Sequence, residues 1–590
     1  MDSLSLNKAR WVMPDADISA VERLSRQYDL PEIVARLLVQ RGVEDIPAFL
    51  YPTLKEHFPD PFALADMEAL AVYMAGAIEA KRAIAIFGDF DVDGATSSAL
   101  LHRFFKCYGI DAPIYIPQRL TEGYGPNVAA LQQLKEDGAE IVFLLDCGTT
   151  AFDVVEAATQ MGLEIVVLDH HEAETTLPKA RYVINPKRKD DASGYDMLAA
   201  VGVTFLACVA MNNKMKGDAP LKSWLDIVAL GTVCDMVPLT GPNRLFVKYG
   251  FKEMQNSGNA GLNALIEVSG ISGPLNPYHA GFVLGPRINA GSRVHKSDLG
   301  ARLLSIDDAE EANDIAWTLN DCNDKRKAIQ VEMEREALDM LEREGLDQHP
   351  VIFVASENFH QGLSGLVAGR LKEKYGKPAA LVAFAENERG EIEGRGSGRS
   401  IPGIHIAQAF IDARNEGIIE KGGGHAMAGG FTVLQGQVEA FKAFLYEHIE
   451  RQTDSAQANV HTPIDGVVTV RGASPALVHL LQDQIGPFGQ EHSEPLFLLQ
   501  NVRIHTADVV GEAHIRCMVS DWEGGSRMKA MAFRAVGTPL GDALLKQGKA
   551  GFDLLGTLKI DNWGGEDKVE MHIKDAGFAI ENVAEKNAIL

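Results

Sequence analysis

The chain has 590 residues, 46% hydrophobic and 23% charged, which places it among ordinary globular proteins and predicts three or four packed units. Its 56 Gly and 25 Pro are too few for a fibrous or disordered chain. Its six cysteines lie apart with no CxxC pair, which argues against a disulfide framework or zinc ribbon and fits a reducing cytoplasmic compartment. The net charge of −25 argues mildly against a nucleic-acid partner, yet it is a whole-molecule average and leaves any one groove open.

The first 45 residues are expected to be a helical segment, without the apolar core of a signal peptide. From Arg82 to Asp235, short apolar runs alternate with helix-like segments. The runs are AIAIFGD (83–89), PIYIP (113–117), IVFLLD (141–146), EIVVLD (164–169) and YVINP (182–186), rich in Ile, Val and Leu and suited to central strands. Between them, segments such as SSALLHRFFKCYG and NVAALQQLKEDG space apolar residues three and four apart and end on Gly. Repeated strand–helix–strand units predict a doubly wound parallel-sheet α/β domain, set at residues 46–306. The apolar stretch Met197–Met211 is too short to span a bilayer and reads as a buried helix, so no membrane association is expected.

Residues 307–345 contain no Pro and no internal Gly, and their composition predicts one long connector helix. A second α/β domain follows at 346–452, with VIFVAS, PAALVAF, EIEGRGSG and a Gly-rich stretch ending in GGFTV. The polar segment QTDSAQANVHTP (452–463) reads as a linker. Residues 460–580 are mostly strand-like and predict a small all-β barrel of the OB-fold type.

The informative feature is where the carboxylates fall. Ligands in open α/β sheets bind outside the carboxyl ends of the strands. Here the strands end in GDFDVDG, LLDCG and VLDHH, which place Asp89, Asp91, Asp93, Asp146, Asp169, His170 and His171 at one rim; Asp235 follows another apolar segment, ALGTVCDMVP. So many carboxylates in a small volume repel one another unless a cation neutralises them. Asp with His suits Mn²⁺, with Mg²⁺ also possible. Two such ions sharing a carboxylate would activate a water and clamp a phosphodiester. Each piece has a plainer reading: DxDxDG is also a calcium-loop or turn sequence, Asp146 could cap the next helix, and the HH pair could be a satisfied polar turn. Their coincidence at successive strand ends is what favours the metal.

GDFDVDG, LDCGT, LDHHE and ALGTVCDMVP resemble motifs I to IV of the DHH phosphoesterase superfamily, and GRGSGRS and GGGHAMAGG resemble its DHHA1 domain. Together with GPRINAG and the C-terminal barrel, they are similar to the RecJ family of bacterial 5′→3′ single-stranded-DNA exonucleases. The resemblance implies Asp89, Asp91, Asp146, His170 and Asp235 as ligands of two Mn²⁺ or Mg²⁺ ions, with Asp146 bridging. It implies His171 facing the scissile phosphate, with Asp93 and Asp169 beside it in the catalytic set. It implies a 5′-phosphate pocket from Arg119, Arg293, Ser397 and Arg399, although NAGSRV departs from the usual pattern around Arg293. Glycines around His425 would let backbone amides cradle a phosphate. In the barrel, Trp522 and Trp563 lie in turn sequences and are the stacking candidates, with a core role as the alternative.

The expected substrate is thus single-stranded DNA taken from its 5′ end and degraded to 5′-mononucleotides in recombination and repair. A single-strand-binding protein and a helicase are the implied partners of a monomer. One competing reading is a small-substrate phosphodiesterase for oligoribonucleotides or cyclic dinucleotides. The barrel counts against it, as does Ala85 where small-molecule members carry an additional His. Another is a non-catalytic DNA-binding scaffold, which the intact acids disfavour.

Overall fold

A computed structural model describes residues 5–386, 390–455, 461–546, 551–561 and 565–579. The chain begins with strand β1 (Arg10–Val12) and helices Ile18–Tyr28, Glu32–Gln40 and Ile46–Leu50. By their contacts, the described residues of 1–58, 238–240 and 459–590 form one unit, and those of 59–237 and 241–458 form the other.

In the second unit, five apolar runs form β2 (Ile84–Gly88), β3 (Ile114–Tyr115), β4 (Ile141–Leu145), β5 (Glu164–Leu168) and β6 (Tyr182–Ile184). All pair in parallel, in the order β3-β2-β4-β5-β6. Helices cover both faces, so β2 and β4 are buried at every residue and read as continuous hydrophobic runs. The chain leaves β2 toward β3 on one side and returns to β4 on the other. A crevice must therefore open between the carboxyl ends of β2 and β4. The apolar stretch at 197–211 is indeed a core helix, Ala200–Met215, buried on most of its circumference. Among the described residues, no single helix is long and apolar enough to cross a membrane.

The connector is one helix, Ala309–Glu344, capped by Asp308, which accepts from the Glu311 amide at 2.8 Å, and ended by Gly345 at φ +64°. Its far half carries Met333, Ala337 and Leu341 into a core shared with β7 (Ile352–Ser356) and β8 (Ala379–Glu386). With β9 (Ile392–Arg399), β10 (Lys421–His425) and β11 (Ala428–Leu434) these make a mixed sheet ordered β10-β11-β9-β8-β7.

The segment read as a linker is structured at both its ends, and residues 456–460 lie outside the described residues. Helix Val438–Ser455 runs into it, and β12 (His461–Pro463) pairs in parallel with β1. β13 (Gly466–Val468), β14 (Phe497–Val510), β15 (His514–Asp521), β16 (Arg527–Ala532), β17 (Phe552–Asp561) and β18 (Lys568–Phe578) follow. Pairing of β14 with both β15 and β17 closes a five-stranded barrel, β14-β15-β16-β18-β17. Its core takes in Leu30, Val34, Leu37, Leu38, Ile46 and Leu50 from the N-terminal helices and the turn between the first two. Residues 46–58, expected at the start of the α/β domain, therefore lie with the barrel. The N-terminal segment is part of that module because its amphipathic faces find their apolar partner there.

Candidate functional site

The first motif is shaped by backbone crowding. Asp91 caps helix Val92–Cys107, its Oδ1 accepting from the amides of Asp93 at 2.9 Å and Gly94 at 3.2 Å. A Cβ on Gly94 would lie 2.3 Å from the Asp89 carbonyl oxygen, so only glycine lets the helix start this close to the strand end. Asp89 follows β2 directly, and Asp146 follows β4 across the crevice. Asp146 holds φ +59°, in the left-handed region that Asp tolerates better than most residues. It does not cap the next helix, which starts after Ala151.

Ligand atoms of Asp89, Asp91 and Asp146 lie within 4.8 Å of one another, as do those of Asp93, His170 and Asp235 and those of Asp146, His170 and His171. His170 Nε2 is 3.4 Å from both Asp146 Oδ1 and Asp235 Oδ2. Asp89 Oδ1, Asp146 Oδ1, Asp235 Oδ2 and both ring nitrogens of His170 are buried without a hydrogen-bond partner. Buried polar atoms are nearly always paired, so this concentration of orphans fits a divalent cation that accepts oxygen and imidazole ligands. Burial first, then mutual repulsion, holds the carboxyls of Asp89, Asp146 and Asp235 well above the usual carboxylate range. Burial pushes the His170 imidazole down to about 4, which leaves it neutral at pH 7 and able to ligate.

Asp93 sits deeper. Its two oxygens accept from the amides of Ala200 and Val201 at 2.7 and 2.8 Å, tethering the N-terminus of the core helix, and Oδ2 is 3.8 Å from His170 Nε2. Burial and the nearby Asp91 raise it to about 7. Asp169 is also fully buried, but the hydrogen bond and charge of His171, with the Thr149 amide, outweigh that burial and keep it ionised. Its Oδ1 lies 2.8 Å from His171 Nδ1. The pair is braced by Asn185, whose Nδ2 donates to the Thr149 hydroxyl and to the His171 carbonyl. His171 is half-exposed and lies against Tyr124, whose hydroxyl is 3.3 Å from Nε2 and donates to the Asp146 carbonyl at 3.2 Å.

A cationic group adjoins the acids. Arg119 lies 4.5 Å from the Phe90 ring centroid and near Asp89 and Asp91. Arg293 donates to the Gly362 carbonyl at 2.7 Å, and Arg399 to the Ser397 hydroxyl at 3.0 Å. None of the three forms an ion pair with a carboxylate among the described residues. Burial, then the charges of Arg119, Arg326 and Arg399, lowers Arg293 to about 9. Like charges held together without a directly paired carboxylate suit a polyanionic ligand. His425 is exposed at the end of β10, close enough to Arg399 for its imidazole to be held down by burial and then by that charge.

In the other unit, Arg503 stands 5.1 Å over the half-buried ring of Trp522. Trp563 lies outside the described residues. Tyr124, Arg326 and Gly365 are not singled out by the sequence. Tyr124 shares the PQRLTEGYG segment with Arg119, and its flanking glycines are the available signal. Arg326 sits inside a helix rich in charge, where nothing marks one arginine.

The chain is similar to known proteins along most of its length. Residues 83–232 match the DHH family, N-terminal domain; 348–451 match the DHHA1 domain; and 464–575 match the RecJ OB domain. The chain is 30% identical to the single-stranded-DNA-specific exonuclease RecJ of Bacillus subtilis, over 97% of this chain and 71% of that one. It is 33% identical to the protein of the same name from Escherichia coli, over 86% and 89%. The crystal structure of RecJ in complex with Mn²⁺ from Thermus thermophilus superposes with a TM-score of 0.81 at 25% identity, covering 97% of this chain and 80% of that one. A chain with these three matched domains and this acid–imidazole cluster belongs to the RecJ family.

Proposed function

We propose that the protein is a metal-dependent exonuclease that degrades single-stranded DNA from its 5′ end to 5′-mononucleotides, using two divalent ions, Mn²⁺ or Mg²⁺. The observation that carries it is the junction of two groups: buried, unpartnered carboxylates and imidazole beside three arginines that lack carboxylate partners among the described residues. The first set is matched to cations and the second to a terminal phosphate, so one substrate end bridges both.

Asp89, Asp91, Asp146, His170 and Asp235 hold the ions, with Asp146 common to two of the ligand groups. When bound, they polarise the phosphoryl oxygens and lower the pKa of the attacking water. Arg119, Arg293, Ser397 and Arg399 hold the 5′-phosphate and fix which linkage reaches the cluster. Asp169 fixes the His171 ring through Nδ1, with the Tyr124 hydroxyl beside Nε2, and the half-exposed ring neutralises charge on the scissile phosphate as attack proceeds. The P–O3′ bond breaks, the first nucleotide leaves with its own 5′-phosphate, and the strand left behind carries a new 5′-phosphate for the next cycle. Recombination and repair in the cytoplasm, with a single-strand-binding protein and a helicase, is the setting this activity fits, and a monomer is the working form.

The test is Mn²⁺-dependent digestion of single strands labelled at either end. Early release of labelled mononucleotide from the 5′-labelled strand is expected. Early release from the 3′-labelled strand would reverse the polarity.

A further inference from the structure

Beside the ligand cluster the surface turns apolar. Tyr278 is 62% exposed and Phe282 is 72% exposed, with their rings stacked at 5.3 Å and 24°. They lie one turn apart where helix Pro277–His279 passes into a π-helical turn, Ala280–Leu284, which continues as helix Gly285–Val294. Such turns are rare and recur at functional positions. This one is pinned against the metal-ligand set: the Cys234 thiol donates to the Ala280 carbonyl at 3.3 Å, and Cys234 immediately precedes Asp235. A Cβ on Gly285 would lie 2.5 Å from Cys234 Sγ, so the contact is close along the whole turn. On the other side of Asp235, Met236 is 69% exposed at φ +59°. Two rings and a thioether therefore stand exposed on two segments that meet at the Cys234–Ala280 contact, next in sequence to a ligand.

The same helix links this patch to the phosphate pocket. Arg293 lies near its far end, and its neighbours include Asp91 as well as Arg119 and Arg399. At 1.5 Å per residue, Phe282 and Arg293 are roughly 16 Å apart along the axis. The acids adjoin both ends: Asp235 follows Cys234, and the charge of Asp91 acts on both Cys234 and Arg293.

We infer that Tyr278 and Phe282 are the stacking platform for the bases on the 3′ side of the cut. This rests on the exonuclease reading above. With the terminal phosphate at the arginine end and the scissile phosphate over the acids, the next bases arrive at the rings. Aromatic faces accept every base, which suits a site through which the strand advances one nucleotide per cycle. Exposed apolar rings are otherwise a solubility liability.

The test is a double-mutant cycle on binding, measured without divalent cation so that the strand stays intact. The ligands are 5′-phosphorylated dT12, the same strand with abasic residues at positions 2–4, and one with abasic residues at positions 9–11. Tyr278→Ala/Phe282→Ala should bind intact dT12 about five- to a hundredfold more weakly than wild type. Abasic residues at 2–4 should weaken wild type by a similar factor and leave the double variant nearly unaffected. Phe282→Trp, which keeps a stacking face, should bind like wild type and show quenched indole fluorescence on adding dT12. If residues 2–4 cost both proteins equally while wild type digests dT12 normally, the platform is overturned and the exonuclease reading stands. A wild type that neither binds nor digests dT12 sinks both.

Discussion

Gly365 approaches Arg399 so closely that a Cβ placed on it would lie 2.7 Å from the guanidinium Nη2 and 2.9 Å from the Ser397 hydroxyl. The atoms it would meet are the ends of side chains, so a methyl group there displaces the guanidinium rather than the backbone. Gly365→Ala should therefore behave as a mild form of Arg399→Ala. A charge-assisted hydrogen bond contributes roughly 1.5–3 kcal/mol, so Arg399→Ala should lower kcat/KM on 5′-phosphorylated strands about ten- to a hundredfold and spare 5′-hydroxyl strands. Gly365→Ala should lower the phosphate-to-hydroxyl ratio in the same direction, with the melting temperature unchanged. An equal loss on both ends would assign Arg399 to the internal backbone, leaving the end to Arg293 or Arg119.

What was legible in the sequence follows from how local each signal is. Strand ends carry their own punctuation, so GDFDVDG, LLDCG and VLDHH could be aligned at one rim without knowing the strand order. The closed barrel was legible too, because each strand alternates or runs apolar on its own. The residues that escaped depend on partners far away in the chain. Leu37 and Leu50 show an amphipathic face but not that the barrel covers it. Arg326 is one cation in a long charged helix until folding brings it to Arg293. Tyr278 and Phe282 look like core aromatics by type, and only their exposure marks them.

Asp235 tests the cost of the cluster. Its Oδ2 is buried and unpartnered, and burial followed by the neighbouring carboxylates pushes its pKa well up. The fold therefore disfavours the charge, and replacing it with an amide relieves repulsion that a cation or a proton otherwise offsets. Asp235→Asn should therefore melt higher than wild type in chelator, gain less on adding Mn²⁺, and lose about a hundredfold or more in turnover. A lower melting temperature in chelator would mean that the carboxylate is satisfied by protein groups alone.

His171 and Asp169 should act as one unit. His171 Nδ1 lies 2.8 Å from Asp169 Oδ1, and the ring is half-exposed, unlike that of His170. His171→Ala should lower kcat about a hundredfold or more and leave the number of bound Mn²⁺ ions unchanged by calorimetry. Asp169→Asn should reproduce most of that loss by releasing the ring. One ion fewer in His171→Ala would make His171 a ligand.

A pH effect on stability should come from Asp226, away from the cluster. Burial is the main cause raising its pKa from 3.8 to about 6, against hydrogen bonds from the Ser257 hydroxyl at 2.5 Å and the Ile227 amide at 2.6 Å. The fold favours the protonated acid, so this stabilisation is complete below pH 3.8 and is lost as pH rises through 6. Asp226→Asn keeps the amide's acceptor and removes the titration. The variant should exceed wild type by about 2–3 kcal/mol above pH 7, with the gap closing toward pH 4. A gap independent of pH, read from the first thermal transition, would place the effect in packing instead.

The last prediction concerns where the molecule can be cut. A chain stopped near Gln452 retains every proposed metal ligand, but it also retains the N-terminal helices without the barrel. Leu30, Val34, Leu37, Leu38, Ile46 and Leu50 would then lose their core. Burying a leucine fully is worth roughly 1.5–3 kcal/mol, and an exposed cluster of this kind promotes association. A fragment of residues 59–455 avoids this, because it begins and ends with the α/β unit. It should be soluble, cleave short oligonucleotides with Mn²⁺, and bind long single strands more weakly with a shallower salt dependence. Residues 1–452 should aggregate or bind a hydrophobic dye. If both fragments bind long strands as the full chain does, the barrel does not hold DNA, and its closed sheet with the N-terminal helices serves a structural or protein-binding role.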